Sequence, residues 1–392
     1  MYRDEEIESI RKEFPALGSR TYLNSAAHGP TLRRVHEAVK QWWMYRLSED
    51  DHGTPNALGE AAKLLHCDTG ELCWANRVSQ GLNMVASMIP FNRGDNIVVT
   101  DLGYQSNVYV WLPFRNKGVE IRRISHRNGL LEASDFEKAI DDNTKVTCVS
   151  RVEWTSGIRY DMKALSELSH QHGAYLVDDG YQAVGATDVD LHRDDVDFFT
   201  AGSEKWLCCP MMIGFFYIKK ELIPKFEPTY RNYHSVEDAF KDGAPWEKPD
   251  HDNILSYDKP LYGDARKFYR GCVSDEHVWG FDACLSYFNE LGIRNIQKKT
   301  SRLSQYLIEA LKDQNVKINT PEEPNRRAAL VTYDTGSFKK NQKIYDALKH
   351  ENVVVAHRYE AGVGGIRVSC HFFNTEQEID KLIKIQRQTL SD

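Results

Sequence analysis

Two hydrophobic periods alternate along most of this chain. Short apolar runs with strand character fall at 96–100, 145–150, 174–179, 197–201 and 212–218, and 119–124, which alternates apolar and polar at its start, marks another strand. Between them lie stretches with helical spacing. One opens on the cap-like Ala133-Ser134-Asp135-Phe136, and another covers 162–170 and stops near Gly173. Strand–helix alternation predicts a mostly parallel sheet with helices on its faces. After Lys220 the pattern breaks. Residues 226–262 are rich in Pro, Asp, His and aromatics with weak periodicity, as suits an irregular lid or subunit contact. Helical patterns follow at 278–291 and 296–311. Strands at 329–333 and 353–356, and a closing helix from Thr375-Glu376-Gln377-Glu378, predict a small α+β unit. The threonine cap and first-turn acids mark that helix start.

Composition narrows the function classes. A chain of 392 residues can bury a large core in one or two domains. A net charge of −7 gives no general pull toward nucleic acid or an anionic membrane, so neither is expected as a partner. There is no apolar run long enough for a membrane span, and the charged start Met1-Tyr2-Arg3-Asp4-Glu5-Glu6 reads straight into a helix rather than a signal peptide. A cytoplasmic setting is expected. Eight cysteines include the adjacent Cys208-Cys209 and no C-x-x-C pair, which predicts reduced thiols packed as small hydrophobes and no metal site.

The chemistry gathers at strand ends. In parallel sheets, ligands sit outside the carboxyl ends of the strands. The 174–179 strand ends in Asp178-Asp179, and the 197–201 strand runs through Gly202-Ser203-Glu204 into Lys205. Lysine is rarely buried without a task, and in the apolar frame of Phe198-Phe199 and Trp206-Leu207 it would be a usable amine. A strand-end lysine and a strand-end aspartate one β-unit apart suit pyridoxal 5′-phosphate (PLP). The lysine would hold it as a Schiff base and the aspartate would hydrogen-bond its pyridinium nitrogen. Other residues fit the same cofactor. Arg77-Val78-Ser79-Gln80-Gly81 reads as a polar turn opening an apolar helix, a natural anion seat. Tyr104 follows the 96–100 strand and could stack on a flat ring. Gln182 could donate to a ring oxygen. Arg367, inside the apolar run Gly365-Ile366-Arg367-Val368, is suited to a carboxylate, which a guanidinium binds bidentately. Each of these alone has an ordinary structural reading. The glycines at 362–365 lack the strand–turn–helix setting of a dinucleotide fingerprint.

Taken together, these residues resemble the class V aminotransferase family of fold-type I PLP enzymes, over nearly the whole chain. The likeness runs from Phe14-Pro15-Ala16-Leu17 and Tyr22-Leu23-Asn24-Ser25-Ala26-Ala27-His28-Gly29-Pro30 to Arg367 and the helix beyond Thr375. It implies an α/β fold with a large PLP-binding domain over 21–262, a smaller α+β domain over 263–392, and residues 1–20 packing on the small domain. It also implies a homodimer with active sites near the subunit interface, where 226–262 would be a contact region. Asp179-Gly180-Tyr181-Gln182 matches the family's aspartate-glycine-x-glutamine run and places Asp179 on the pyridine nitrogen and Gln182 near the ring oxygen. Lys205 matches the cofactor lysine and the α-proton base. Ser203 matches a phosphate-holding serine, Ser79 and Gln80 the N-terminal phosphate turn, and Tyr104 the stacking position. Arg367 matches the carboxylate arginine, with His28 and Trp154 as further substrate contacts.

Departures bear on the reaction. The family often has histidine before the lysine; here it is Glu204, a carboxylate that must turn away from the phosphate or find a cation, for which Arg270 is the candidate. A glycine-threonine pair that often reaches a neighbouring subunit's phosphate corresponds to Gly271-Cys272. The stacking residue, usually histidine in desulfurases, is Tyr104. The segment 357–365, where desulfurases carry a nucleophilic cysteine, has none, and Cys370 lies beyond the arginine. The expected order is therefore an aminotransferase-like enzyme on a small α-amino acid, then a β-eliminating C–S lyase, to whose segment Val152-Glu153-Trp154-Thr155-Ser156-Gly157 is similar, then an epimerase. Retention of Lys205, Asp179 and Arg367 speaks against a non-catalytic scaffold.

Overall fold

A computed structural model describes residues 4–48, 53–237, 239 and 259–391. Most of the expected excursion at 226–262 lies outside the described residues. The chain opens with α1 (Asp4–Lys12), β1 (Thr21–Tyr22), α2 (Arg33–Ser48) and α3 (Ala57–Leu65). The sheet region follows: β2 (Leu72–Trp74), α4 (Val78–Met88), β3 (Asn96–Thr100), α5 (Ser106–Tyr109), β4 (Glu120–Ile124), α6 (Ala133–Ala139), β5 (Thr144–Ser150), α7 (Met162–Gln171), β6 (Tyr175–Asp179), β7 (Phe198–Gly202) and β8 (Gly214–Ile218). The C-terminal part holds α8 (Asp275–Leu291), α9 (Ile293–Lys312), β9 (Lys317–Ile318), β10 (Leu330–Asp334), α10 (Phe338–His350), β11 (Val353–Val354), β12 (Ala356–Glu360), β13 (Val363–Ser369) and α11 (Glu376–Ser391).

The seven-stranded sheet runs β2-β8-β7-β6-β5-β3-β4. The pairs among β4, β3, β5, β6 and β7 are parallel, and β8 is antiparallel to both its neighbours. Its central strands read as continuous apolar runs because both faces are covered, whereas the edge strand β4 is polar and partly exposed. Val98, Val149, Leu176, Phe199 and Phe215 enter one core, whereas Ile97, Val99, Val146, Val177, Phe198 and Phe216 enter the other, with Leu82 and Val85 of α4. The strict alternation sends the two carboxylates at the end of β6 to opposite faces.

The smaller sheet runs β12-β13-β10-β9, entirely antiparallel, and packs on α9, α10 and α11 through Leu303, Leu307, Ile344, Ile366, Val368 and Ile379. The expected single strand at 353–356 divides instead. Val353–Val354 pairs with β1, and the chain from Ala356 turns to a different sheet. β12 and β13 are paired from Ala356↔Arg367 to Glu360↔Val363 and joined by Ala361-Gly362, both at positive φ (48° and 80°), the two-residue turn that a hairpin's twist favours.

The N-terminal segment is tied to the end of the chain. Arg11 donates to the Phe373 carbonyl and pairs with Glu378 at 3.2 Å, and Phe14 packs on Phe372 and Phe373. The helix α8 packs on α2 and α3 and stacks Phe281 on Phe215 of the large sheet. No helix among the described residues is long and apolar enough to cross a membrane.

Candidate active site

The carboxyl ends of β3, β5, β6 and β7 open onto a cavity of about 480 Å³, closed on the other side by β12 and β13. Tyr104, Ser150, Trp154, Asp179, Gln182, Lys205 and Arg367 line it, with His28 and Ser79. Residues 28 to 367, scattered over the sequence, thus meet in one place.

Lys205 lies between two rings. Its Nζ is 3.8 Å from the Tyr181 ring centroid and 5.7 Å from that of Tyr104. Burial pushes its proton affinity down to about 8; Asp179 opposes the shift and Arg367 adds to it. Asp179 is 4% exposed, and one of its oxygens accepts from the Tyr181 backbone N–H at 3.0 Å. Burial raises its pKa above the ordinary carboxylate range, while that N–H, Lys205, Asn107 and Ser150 favour the charged form. Its chain neighbour Asp178 faces the other way, to Arg151 at 2.6 Å.

Arg367 is 2% exposed. Its neighbours Ile366 and Val368 fill the small core, so strand alternation turns the guanidinium to the cavity. Its Nη1 donates to the Trp154 carbonyl at 2.9 Å, its Nε has no partner, and no carboxylate among the described residues pairs with it. Burial, then the nearby Arg358, push its pKa down to about 9. Trp154 meets Tyr104 edge to face, centroids 5.5 Å apart, which makes an aromatic wall beside the guanidinium. His28 is at the mouth, with its Nδ1 2.6 Å from the Ala27 carbonyl.

At the other end the first turn of α4 supplies Ser79 and N–H groups without intrahelical partners. Gly81 lets that turn sit tight on β7, since a Cβ there would lie 2.2 Å from Thr200 Oγ1. Two of the expected phosphate residues are placed elsewhere. Ser203 is fully buried and donates to the Pro210 carbonyl at 2.5 Å, closing the turn after β7. Gln80 accepts from the Asn76 N–H at 2.7 Å, so its amide caps the start of α4. Gln182 does line the cavity, but its amide already donates to Ala26 O and accepts from Trp206 Nε1, which leaves one N–H for a ligand.

The expected Glu204–Arg270 pair is not formed. Glu204 accepts from the Tyr181 hydroxyl, and Arg270 lies over the Tyr230 ring at 3.7 Å. The phenol can reach Glu204 because Tyr181 lies in the turn two residues beyond the end of β6, the strand paired with β7. Cys272 is exposed and lies 3.1 Å from His234 Nε2. None of the chain's cysteines lines the cavity, and Cys370 is fully buried.

Among the lining residues that were not expected from the sequence are Arg77, Tyr181 and Arg358. Arg77 could have been found as the one cation of the polar turn that opens α4. Arg358 could have been found as a charged residue in a short hairpin facing Gly365, where the missing cysteine drew the reading instead. Tyr181 stood inside the quoted aspartate-glycine-x-glutamine run as its variable residue.

The donor set fits PLP. It offers an amine of lowered proton affinity, a buried carboxylate with no ion-pair partner among the described residues for the ring nitrogen, an aromatic face, and a helix start for the phosphate.

Comparison with known proteins agrees. The family model for class-V aminotransferases matches residues 22–382. A probable cysteine desulfurase of Methanothermobacter thermautotrophicus is 24% identical, with 96% of each chain covered. The uncharacterised aminotransferase YcbU of Bacillus subtilis is 26% identical over 95% of each. The apo structure of a cysteine desulfurase from Thermococcus onnurineus has the same fold, with a TM-score of 0.85, 22% identity and 98% of each chain covered. The chain belongs to the class-V aminotransferase family of PLP-dependent enzymes, which act on amino acids.

Proposed function

We propose that this enzyme removes the α-proton of a small sulfur-bearing amino acid and expels its β-sulfur group, as a β-eliminating C–S lyase. One observation carries the reading: the cavity sets Lys205 beside a buried, carboxylate-free Arg367 and contains no cysteine of this chain. Relatives named cysteine desulfurases support a cysteine-like substrate. The paired β12–β13 hairpin, which has no cysteine, argues against persulfide transfer to the protein. That combination moves the lyase ahead of the aminotransferase.

Arg367 binds the substrate carboxylate through its free N–H groups. Trp154 and Tyr104 wall the side chain and exclude water. Lys205, whose ammonium gives up its proton near pH 8, takes the α-proton in its neutral form. When bound, PLP supplies the electron sink that makes this proton removable. Asp179 holds a proton at the ring nitrogen's position. Loss of the α-proton and the β-sulfur group, with uptake of one water, yields a 2-oxo acid, ammonia and sulfide from cysteine, a thiol from a thioether, or a persulfide from a disulfide such as cystine. Exposed Trp43, Met44 and Leu47 on α2 support the homodimer as part of this reading, and the cytoplasmic setting stays an element of it.

The purified protein should be yellow, and borohydride should fix the chromophore on Lys205. Incubation with cysteine or cystine alone should release pyruvate and ammonia. Amino-group transfer that requires an added oxo acid would establish the second reading, the aminotransferase, which the likeness to YcbU favours. A colourless protein that PLP cannot restore would overturn both.

A further inference from the structure

We propose that Arg77 is the cation that holds the cofactor's phosphate in this chain, and that the Tyr181–Glu204 pair is what makes it necessary. This rests on the PLP reading above.

The phosphate end of the cavity is lined by Arg77, Val78, Ser79, Tyr181 and Glu204. The α4 start attracts an anion through its free N–H groups and dipole. Glu204 works against it. It is 5% exposed; one of its oxygens accepts from Tyr181, and the other, Oε2, has no partner. A buried carboxylate oxygen near a dianion is repulsive unless a cation stands close to both.

Glu204 is not an isolated feature. A Cβ on Gly202 would lie 2.8 Å from the Tyr181 ring, so the ring's seat needs glycine there. Gly202, Tyr181 and Glu204 form one arrangement: the ring lies against Gly202 and under Lys205, and its hydroxyl holds one oxygen of Glu204. The cation that this arrangement lacks is present in the same lining. Arg77 is half-buried, and no carboxylate among the described residues pairs with it. Its Nε faces only the Met212 sulfur at 3.1 Å, a weak acceptor. Its charge is near enough to Tyr181 to lower that phenol's proton affinity, against burial and Glu204, which raise it further. Arg358 and Arg367 serve the opposite wall, beside Trp154. A guanidinium gives a phosphate two parallel N–H bonds and offsets the carboxylate as well.

The test uses the full-length protein stripped of cofactor and titrated, by absorbance, with PLP and with pyridoxal, which lacks the phosphate. Arg77→Gln should weaken PLP about 10- to 100-fold and leave pyridoxal within about 3-fold. Arg77→Lys should fall between and guards against misfolding. Tyr181→Phe, which frees Glu204 to face the phosphate, should weaken PLP, and Tyr181→Phe with Glu204→Gln should restore it. Equal weakening of both ligands by Arg77→Gln, or no weakening, would overturn the assignment, as would failure of the double variant to recover. A wild-type protein that binds no PLP would overturn the function reading itself, and this inference with it.

Discussion

Arg151 and Arg367 are both 2% exposed, yet they differ in what surrounds them. Arg151 is saturated. Its Nε and Nη2 reach Asp178 at 2.9 and 2.6 Å, and its Nη1 pairs with Asp194, which Arg193 also holds. Arg367 has one carbonyl and an orphaned Nε. A buried charge is tolerated when paired and costly when not. The first arginine is therefore explained by the folded chain alone, whereas the second is explained only by something that arrives. The difference between them separates structure from site more sharply than burial or residue type does.

The largest effect expected from this contrast is on stability. Arg151→Leu strands the buried Asp178, leaves Asp194 to Arg193 alone, and should cost about 3–5 kcal/mol in urea unfolding. Arg367→Leu removes an uncompensated cation, and should change stability by no more than about 1 kcal/mol, or raise it. Equal losses from the two variants would break the comparison.

The same contrast splits neighbours on β6. Asp179→Asn should lower turnover by about 100- to 1,000-fold, since it removes charge aimed at the ring nitrogen's position, and leave the unfolding midpoint in place. Asp178→Asn should do the reverse, with a loss of about 1–3 kcal/mol in stability and near-normal turnover. A drop in turnover from both would mean that the ion network behind the sheet also positions the site.

Arg367→Leu should then raise KM for a carboxylate-bearing substrate about 100-fold while binding of PLP is unchanged. Comparing an amino acid with its decarboxylated amine sharpens the point. The variant should lose the preference for the acid, and a retained preference would move the carboxylate seat to Arg358.

The sequence showed the sheet well because its central strands are covered on both faces and read as unbroken apolar runs; β3 was expected at its observed bounds, 96–100. Lys205, Asp179, Tyr104 and Arg367 were legible as candidates, and all four line one cavity, where strand ends and strand alternation put them. What it could not show was which way a short polar side chain turns. Ser203 and Gln80 were expected to hold phosphate, yet one closes a turn and the other caps a helix. Those choices depend on a backbone group four or seven residues away, in space that only the folded turn defines. The Tyr181–Glu204 contact was hidden for a related reason: it joins two strand ends 23 residues apart.

Lys205 supplies the smallest and finest test, because lysine, unlike arginine, can shed its charge when unpaired. Burial holds its pKa at about 8, against an ordinary value of 10.5. Between those values the unfolded chain carries a proton that the folded, cofactor-free chain has lost, so stability rises with pH across that window. Below pH 8 both states hold the proton, and the folded state bears the full cost of an ammonium with only Asp179 and Glu204 to offset it. Lys205→Met has no such cost at any pH. Cofactor-free Lys205→Met should therefore be more stable than cofactor-free wild type at pH 7, and the gap should narrow by about 1–2 kcal/mol by pH 10. Urea unfolding of both proteins at each pH measures it. A gap that does not move with pH would mean that the cavity already balances this charge, and would place Lys205 with Arg151 among the paired cations rather than with Arg367.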